Sequence, residues 1–556
     1  MNGGLVRSVR GACSHGRLTW RTCSQNGLGL PRAMCSQAGN VQTQSRLDTL
    51  REKLQSDKQP FADFVKREEG IVDQGEEEVS LFQQQMENHR VEGKEYFIET
   101  LGCQMNFADS EIVASVLEGA GYNRSMDMSA ADVVLVNTCA IRENAEEKAL
   151  QRLRGLRKQR KKTGQQVGVL GCMAERMKAT LLEGNLVNVV AGPDSYRDLP
   201  SLLSVARGEE QAMNVQLSVD ETYADIAPVR MGDSWHAYIS ITRGCNNMCT
   251  YCIVPFTRGR ERSRTANSIV EEVKRVSSEG RIKEITLLGQ NVNSYYDKTE
   301  KDPVDGDTYK LAEGFSDTYK TRQGSGVRFA KLLDRVASVD DTIRIRFTSP
   351  HPKDFTDDVL TVMAKHKNIC NSIHLPAQSG SNSVLKAMGR GYTREAYLDL
   401  VRRARNIIGP ELELSSDFIS GFCGETEEDH QQTLSLMDEV AYEQCFMFAY
   451  SERKKTRAYH RLDDDVPKDV KLRRLAEVVA KFREVSQEKA KTQVGKEYEI
   501  LVEGPSRRDE NIMQGKTHGL RRCVIVDSTP ETCPSGSYVK VKVIEANQTT
   551  LKGKLI

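Results

Sequence analysis

The chain has 556 residues, with 79 Lys or Arg against 78 Asp or Glu, so its formal net charge is only +1. This length predicts several domains, and the balanced charge gives no overall sign of a nucleic-acid or membrane partner. No apolar run is long enough to cross a bilayer, so we expect no membrane contact. The fourteen cysteines fall mostly after strand-like runs, which indicates metal ligation rather than a disulfide framework.

The first 47 residues contain six arginines and several serines but no carboxylate, and the first acidic residue is Asp48. This composition predicts a mitochondrial presequence over 1–47 and a location in the matrix, with a cytosolic pool left open. A disordered N-terminus is the alternative. Residues 48–92 are charged and partly helical in pattern, and they predict a linker.

Three strand-like runs within residues 93–215 each end just before a cysteine. The pairs are Tyr96–Leu101 with Cys103, Asp132–Val136 with Cys139, and Val167–Leu170 with Cys172. In a right-handed parallel sheet such strand ends share one edge, so the three thiolates would converge. Three thiolates suit an iron–sulfur cluster with one iron left open. Three unconnected buried cysteines are the alternative.

A second group of cysteines, Cys245, Cys249 and Cys252, has the spacing Cys-x3-Cys-x2-Cys. One loop with this spacing can hold a 4Fe–4S cluster and leave one iron free to chelate S-adenosylmethionine (SAM). The spacing is typical of the radical SAM enzymes, whose cluster loops commonly place an aromatic residue, here Tyr251, near the adenine of SAM. A zinc site is the alternative, but zinc usually takes four Cys or His ligands, and no fourth lies nearby at pair spacing.

Residues 230–486 alternate strand-like and helical runs and predict an incomplete α/β barrel, with its chemistry on loops after the carboxyl ends of the strands. Polar turns at these ends supply candidate cofactor contacts. They are Gly289, Gln290, Asn291, Gln378, Ser379 and Ser416. For Ser416 a helix-capping role is an equal alternative. Cys370, Cys423 and Cys445 share no loop pattern, so we expect them in the core.

After a helix predicted over 468–492, residues 489–556 alternate like short strands and resemble the TRAM domain, a small antiparallel β-barrel that binds RNA. Nine basic residues could contact phosphate there. They are Arg507, Arg508, Lys516, Arg521, Arg522, Lys540, Lys542, Lys552 and Lys554.

The six cysteines, in the settings Gly102-Cys103, Asn137-Thr138-Cys139, Gly171-Cys172 and Arg243-Gly-Cys-x3-Cys-x2-Cys, are followed by Leu288-Gly-Gln-Asn. This order closely resembles the methylthiotransferase family typified by bacterial MiaB, over residues 95–556. The resemblance implies a parallel-sheet methylthiotransferase domain, a partial TIM-like radical SAM barrel and a TRAM barrel. Two departures are a polar insertion from Asn293 to about Gly326, and Arg453-Lys-Lys-Thr where bacterial relatives usually carry Arg-Pro-Gly-Thr.

The resemblance implies that N6-isopentenyladenosine at position 37, next to the anticodon of mitochondrial tRNAs, receives a methylthio group at carbon-2. It implies two 4Fe–4S clusters, two molecules of SAM, an anticodon stem-loop as partner and an electron donor such as a ferredoxin; the sulfur source is not indicated. Related alternatives act on threonylcarbamoyladenosine or on a ribosomal protein aspartate. A non-enzymatic adaptor restraining a kinase activator subunit is suggested only by the name of the animal members.

Overall fold

The computed structural model describes residues 89–139, 143–206, 210–232, 234–301, 311, 314–316, 324–519 and 521–556. The predicted presequence and nearly all of the predicted linker lie outside the described residues. Among the helices of the described part, none is both long and apolar enough to cross a membrane.

The N-terminal domain is built on a six-stranded, wholly parallel sheet with the strand order β2-β1-β3-β4-β5-β6. Its strands are β1 (Glu95–Leu101), β2 (Asn123–Arg124), β3 (Val133–Thr138), β4 (Gln166–Leu170), β5 (Val189–Ala191) and β6 (Ala212–Asn214). Its helices are α1 (Gln104–Gly119), α2 (Glu143–Thr163), α3 (Cys172–Met177) and α4 (Leu199–Val205). Helices cover such a sheet on both faces, which is why every residue of β3 is buried.

Helix α1 begins four residues earlier than the apolar pattern from Ala108 predicted, directly after Cys103. The side chain of Asn106 causes this early start, because its Oδ1 accepts the backbone N–H of Cys103 at 3.2 Å. The helix therefore grows straight out of the cysteine-bearing turn.

The central domain is an incomplete barrel of six parallel strands, as predicted. Two three-stranded sheets, β7-β10-β13 and β14-β15-β16, form it. The barrel strands are β7 (His236–Ser240), β10 (Glu284–Leu288), β13 (Arg344–Phe347), β14 (Ser372–His374), β15 (Glu413–Ser420) and β16 (Gln444–Ala449). At the seam between the sheets, Ile345 exchanges two backbone hydrogen bonds, with Asn368 O and Cys370 N, at 2.8 and 2.9 Å.

Seven helices of the central domain and two short antiparallel pairs surround these strands. The helices are α5 (Val254–Arg258), α6 (Ala266–Ser278), α7 (Phe329–Ala337), α8 (Asp357–Lys365), α9 (Asn382–Ala387), α10 (Arg394–Ile408) and α11 (Glu427–Val440). The pairs are β8 (Thr242–Arg243) with β9 (Arg262–Ser263), and β11 (Tyr296–Lys301) with β12 (Gly326–Arg328). Ala237 and Ile239 of β7 belong to the main core, whereas Tyr238 packs against Met105 and Ala108 of α1. The N-terminal domain therefore packs against the barrel beside the cysteine-bearing turn that precedes α1.

Helices α12 (Arg457–Arg461) and α13 (Lys468–Lys491) lead to a closed five-stranded barrel at the C-terminus. Its strands are β17 (Glu497–Pro505), β18 (Met513–Lys516), β19 (Arg522–Ile525), β20 (Tyr538–Ala546) and β21 (Thr550–Leu555). The helix and four of the strands follow the predicted pattern. Strand β18 was not predicted, because Met-Gln-Gly-Lys has neither alternation nor β-branched residues.

The C-terminal barrel covers the amino ends of the central strands. At the start of β13, Arg344 Nη1 donates to Lys516 O, and Arg346 Nη2 donates to Thr517 O, both at 3.1 Å. At the start of β15, Glu413 accepts Arg521 Nε at 3.2 Å. Arg521 is only 8% exposed, so this predicted RNA-contacting residue is instead part of the domain junction.

His236 joins the two domains at the first residue of β7. Its ring lies 3.2 Å from Glu284 and 2.9 Å from Glu503 of the C-terminal barrel. Burial opposes protonation, but hydrogen bonds to both carboxylates raise the pKa of His236 above its usual value. Protonation of the imidazole therefore places a positive charge between two carboxylates at this junction.

Candidate active site

The first three predicted cysteines meet at one edge of the N-terminal sheet. Strands β1, β3 and β4 are neighbours, with Leu101 opposite Thr138 and Asn137 opposite Leu170. Cys103, Cys139 and Cys172 follow these aligned strand ends, Cys139 and Cys172 buried and Cys103 exposed. The register itself therefore brings together three thiols from widely separated parts of the sequence.

Two glycines make this close approach sterically feasible. Gly171 has φ +85°, and an added Cβ would lie 2.5 Å from Asn137 Oδ1 and 2.8 Å from Thr138 O. An added Cβ at Gly102 would lie 2.4 Å from Asn106 Oδ1. The glycine before Cys103 and the one before Cys172 are thus required by packing at the strand ends.

A buried amide network fixes the same edge. Asn106 Nδ2 donates to Asn137 Oδ1, and Asn137 Nδ2 donates to Asn106 O, both at 2.9 Å. Asn137 Nδ2 also lies 3.0 Å from Ser110 Oγ. Because both amides are inaccessible to solvent, their paired hydrogen bonds hold α1 in register with β3.

The three thiols differ in their electrostatics. A hydrogen bond with Cys139, aided by the positive charge of Arg258, lowers the pKa of the Cys103 thiol to about 6. Burial raises the pKa of Cys172, although Arg258 Nε donates a 3.0 Å hydrogen bond to its sulfur. Cys103 thus offers a thiolate at neutral pH, the form that binds metal.

The second cysteine group lies in the loop between β8 and α5, at the carboxyl end of the first barrel strand. The β8–β9 pair closes the base of this loop. Gly244 has φ +75°, and an added Cβ would lie 2.1 Å from Arg260 O. Gln290 Oε1 accepts the backbone N–H of Gly244, so this predicted SAM contact already supports the loop that carries Cys245.

Arg390, which the sequence did not single out, lies beside this second group. Its Nη1 is 3.3 Å from Cys249 Sγ and 3.4 Å from Tyr251 Oη, and its Nη2 donates to Pro376 O at 2.9 Å. Tyr251 packs edge-on against Phe422, with ring centroids 6.4 Å apart. Arg390 therefore links the cysteine loop to the turn that follows β14, on the far side of the barrel.

Several buried polar atoms around the barrel opening have no hydrogen-bond partner among the described residues. They are Ser240 Oγ, Thr242 Oγ1, Asn247 Nδ2 and Gln378 Oε1. Gln378 also has φ +69°. Buried polar groups are rarely left unsatisfied, so these four atoms are candidates for contacts with a polar ligand. The donors and acceptors present are those that the amino acid and ribose parts of SAM require.

The other candidate contacts have structural partners in the protein. Asn291 Nδ2 donates to Asp354 at 2.9 Å, and Ser379 Oγ pairs with Thr433 at 3.2 Å. Ser416 Oγ accepts the backbone N–H of Ala377 at 3.0 Å. An added Cβ at Gly289 would lie 2.1 Å from Thr242 Oγ1. A role in binding SAM stays a prediction for all four.

Both departures from the bacterial pattern lie beside the second cysteine group. Thr456 caps α12, and Ala458 N donates to Thr250 O in the cysteine loop at 2.7 Å. In the described part of the insertion, Phe315 packs against Tyr392 with centroids 5.7 Å apart, and Tyr392 Oη accepts Arg390 Nε at 3.0 Å. The segment at 453–458 thus packs on the loop directly, and Phe315 of the insertion packs beside it through Tyr392 and Arg390.

A buried ionic group connects the two cysteine sites. Asp109, on α1, accepts Arg258 Nη2 at 2.7 Å and Arg243 Nη1 at 2.9 Å. Arg258 is the last residue of α5, the helix that follows Cys252. The sequence could not reveal these contacts, because they join residues more than 130 positions apart.

Three family models match the chain in the order of its domains. They are the Uncharacterized protein family UPF0004 over residues 95–192, the Radical SAM superfamily over 239–437 and the TRAM domain over 491–556. Members of the radical SAM superfamily combine SAM with a 4Fe–4S cluster, so these are cofactors of this chain.

Named relatives match most of the chain. A mouse protein, "Mitochondrial tRNA methylthiotransferase CDK5RAP1", is 51% identical over 479 residues, covering 83% of this chain and 81% of its own length. A Porphyromonas gingivalis protein, "tRNA-2-methylthio-N(6)-dimethylallyladenosine synthase", is 48% identical over 83% of this chain and 95% of its own length. With half of its residues shared over four-fifths of its length, the chain belongs to the radical SAM tRNA methylthiotransferase family.

Proposed function

We propose that this enzyme adds a methylthio group to carbon-2 of N6-isopentenyladenosine at position 37 of mitochondrial tRNAs, in the matrix. The names of the mouse and P. gingivalis relatives support a mitochondrial location and an isopentenylated adenosine as the substrate. The dimethylallyl group in the name of the bacterial relative is the same substituent as the isopentenyl group of the proposed substrate. The methylthio product supports mitochondrial translation by modifying the nucleotide beside the anticodon.

One observation carries the proposal: two sites of three cysteines each are connected by the buried ionic group that contains Asp109. Cys103, Cys139 and Cys172 would hold an auxiliary 4Fe–4S cluster, and Cys245, Cys249 and Cys252 the cluster that binds SAM. When bound, the SAM-binding cluster would pass on the electron that yields the 5'-deoxyadenosyl radical from one SAM, and the second SAM would supply the methyl group.

The protein residues bind, orient and exclude water. Gln378, Ser240 and Asn247 offer unpaired polar atoms to SAM, and Tyr251 offers an aromatic face to its adenine. The N-terminal domain packs against the first barrel strand through α1, and this contact would help to exclude water from the site. The C2–H bond of adenine has no acidic proton, so orientation of the base matters more here than a general base.

RNA binding is assigned to two basic surfaces. One consists of exposed residues of the C-terminal barrel, such as Arg507, Arg508 and Arg522. The other is the turn at 453–457, beside the cysteine loop, where Lys454 and Lys455 add positive charge. An anticodon stem-loop could then be held while its modified base enters the barrel opening. A ferredoxin-like protein is the proposed electron donor.

The test is nucleoside mass spectrometry on the anaerobically reconstituted full chain with SAM, reductant and an isopentenylated anticodon stem-loop. We expect a methylthio product that is absent in Cys172→Ala but retained in Cys370→Ala, a buried cysteine outside both sites. If a threonylcarbamoylated stem-loop alone is modified, the proposed substrate is wrong. If neither is modified despite full iron loading, the enzymatic proposal fails, and a kinase-activator adaptor should then survive Cys103→Ala and Cys249→Ala.

A further inference from the structure

Arg258 belongs to the radical SAM loop but contacts a cysteine of the other site. It ends α5, six residues after Cys252, and its guanidinium is only 3% exposed. Its Nε lies 3.0 Å from Cys172 Sγ, and its Nη2 binds Asp109. Its Nη1 has no hydrogen-bond partner among the described residues. One side chain thus presents two N–H groups, one of them unpaired, beside the auxiliary cysteines.

The charges around Arg258 do not cancel. Besides Asp109, the group contains Arg243 and a second carboxylate, Asp194, which lies 3.8 Å from Arg243 and 3.0 Å from Arg262. Three guanidiniums therefore face two carboxylates, and each of these five side chains is at most 4% exposed. A net positive charge buried in this way is costly unless an anion lies beside it.

Two nearby side chains do not neutralise this excess positive charge. Glu175, another buried carboxylate, is already paired with Lys178 at 2.8 Å. Tyr196, whose Oη is 3.2 Å from Asp109, is held neutral because burial raises its pKa well above the usual value. Besides Asp109, the group that Arg258 contacts is the sulfur of Cys172, 3.0 Å from its Nε. A 4Fe–4S cluster on three thiolates carries the negative charge that the ionic group lacks.

We infer that Arg258 is a positioning residue that donates a hydrogen bond to the Cys172 thiolate and makes the auxiliary cluster easier to reduce. The inference rests on the auxiliary cluster of the proposed function. Hydrogen bonds to cluster sulfurs and nearby positive charge stabilise the reduced, more negative form. Because the same side chain ends the helix after Cys252, it also fixes the auxiliary site relative to the radical SAM loop.

The test isolates the auxiliary cluster in a background that carries Cys245→Ala, Cys249→Ala and Cys252→Ala. Its midpoint potential is measured by redox titration with electron paramagnetic resonance. We expect Arg258→Gln to shift the reduction equilibrium at least tenfold toward the oxidised form, about 59 mV for one electron. Arg258→Lys, which keeps the charge, should give a smaller shift.

The matched control is Arg264→Gln. Arg264 is also buried and ion-paired, with Glu272 at 2.6 Å, but it contacts no cysteine in the described structure. We expect it to leave the potential unchanged. An Arg258→Gln chain with full iron and an unshifted potential would overturn the inference.

A second variant covers the case in which Arg258→Gln does not fold. Asp109→Asn removes negative charge from the same group while leaving Arg258 beside Cys172, so it should shift the potential in the opposite direction, toward easier reduction. A shift of the other sign, or none, refutes the role of Arg258. If the background chain holds no more iron than the same chain with Cys172→Ala, the auxiliary site itself is wrong, and both proposals fall.

Discussion

Replacing Gly171 with alanine should disrupt the auxiliary cysteine site far more than an ordinary glycine substitution. Its backbone, at φ +85° and ψ −158°, lies in a region that only glycine adopts readily, at a cost of about 1–3 kcal/mol for other residues. The added Cβ would also lie 2.5 Å from Asn137 Oδ1 and 2.8 Å from Thr138 O. Such overpacking typically costs about 1–3 kcal/mol more, so together we expect about 2–6 kcal/mol.

Gly184→Ala is the matched control. Gly184 also has a positive φ, +63°, but an added Cβ would meet nothing within 4 Å, so only the backbone cost of about 1–2 kcal/mol applies. Anaerobic urea unfolding compares the two variants. Iron content is measured in the background that lacks the radical SAM cysteines. We expect Gly171→Ala to lose most of its iron and Gly184→Ala to keep it. Equal stability and equal iron in both would refute the steric argument.

Three further predictions concern the other sites. Gly244→Ala should remove iron from the radical SAM loop and spare the auxiliary site, because its Cβ would meet Arg260 O; iron retained at both sites would contradict this. The pKa of His236 is raised in the folded state. The contribution of His236 to the stability of the folded chain is therefore complete below about pH 6.5, and it is lost as pH rises through the folded-state pKa. His236→Gln should therefore lower the free energy of unfolding more at pH 6 than at pH 9, and an equal loss at both would exclude this linkage. Arg521→Ala should destabilise the chain by about 1.5–3 kcal/mol by removing a buried hydrogen bond between charged groups at Glu413, whereas exposed Arg522→Ala should change stability by less than about 0.5 kcal/mol and reduce the salt dependence of tRNA binding; the reverse pattern would contradict the junction.

Much of the fold was predictable because its signals are local. The cysteines that follow apolar runs predicted where three strands end. The Cys-x3-Cys-x2-Cys spacing predicted the loop after the first barrel strand. Alternation along the chain gave the half-barrel and four of the five C-terminal strands. These patterns depend on residues close together in sequence, where strand and helix periodicity can be read directly.

The contacts that complete the sites depend on residues far apart, so the sequence did not reveal them. Arg390 approaches Cys249 from 141 positions away, and Arg258 reaches Cys172 from 86 positions away. Arginine is common on protein surfaces, and nothing in its neighbours marks it as buried. The early start of α1 was missed for a different reason, because Asn106 is a poor helix former that acts here through its side chain.

The position of the C-terminal barrel affects how its removal should be interpreted. The two sheets of the central domain meet at a seam held by the backbone of Ile345, and the C-terminal barrel contacts both sides of it. Arg344 and Arg346 bind it from one sheet, and Asn371 N donates to His518 Nδ1 at 3.3 Å from the other. Deleting residues 492–556 would remove these contacts from both sheets and take away the hydrogen-bond partners of buried Arg344, although Arg346 would keep Glu284 at 2.8 Å. Loss of activity in such a truncation would therefore report an opened catalytic barrel as much as lost RNA affinity, and only surface substitutions separate the two.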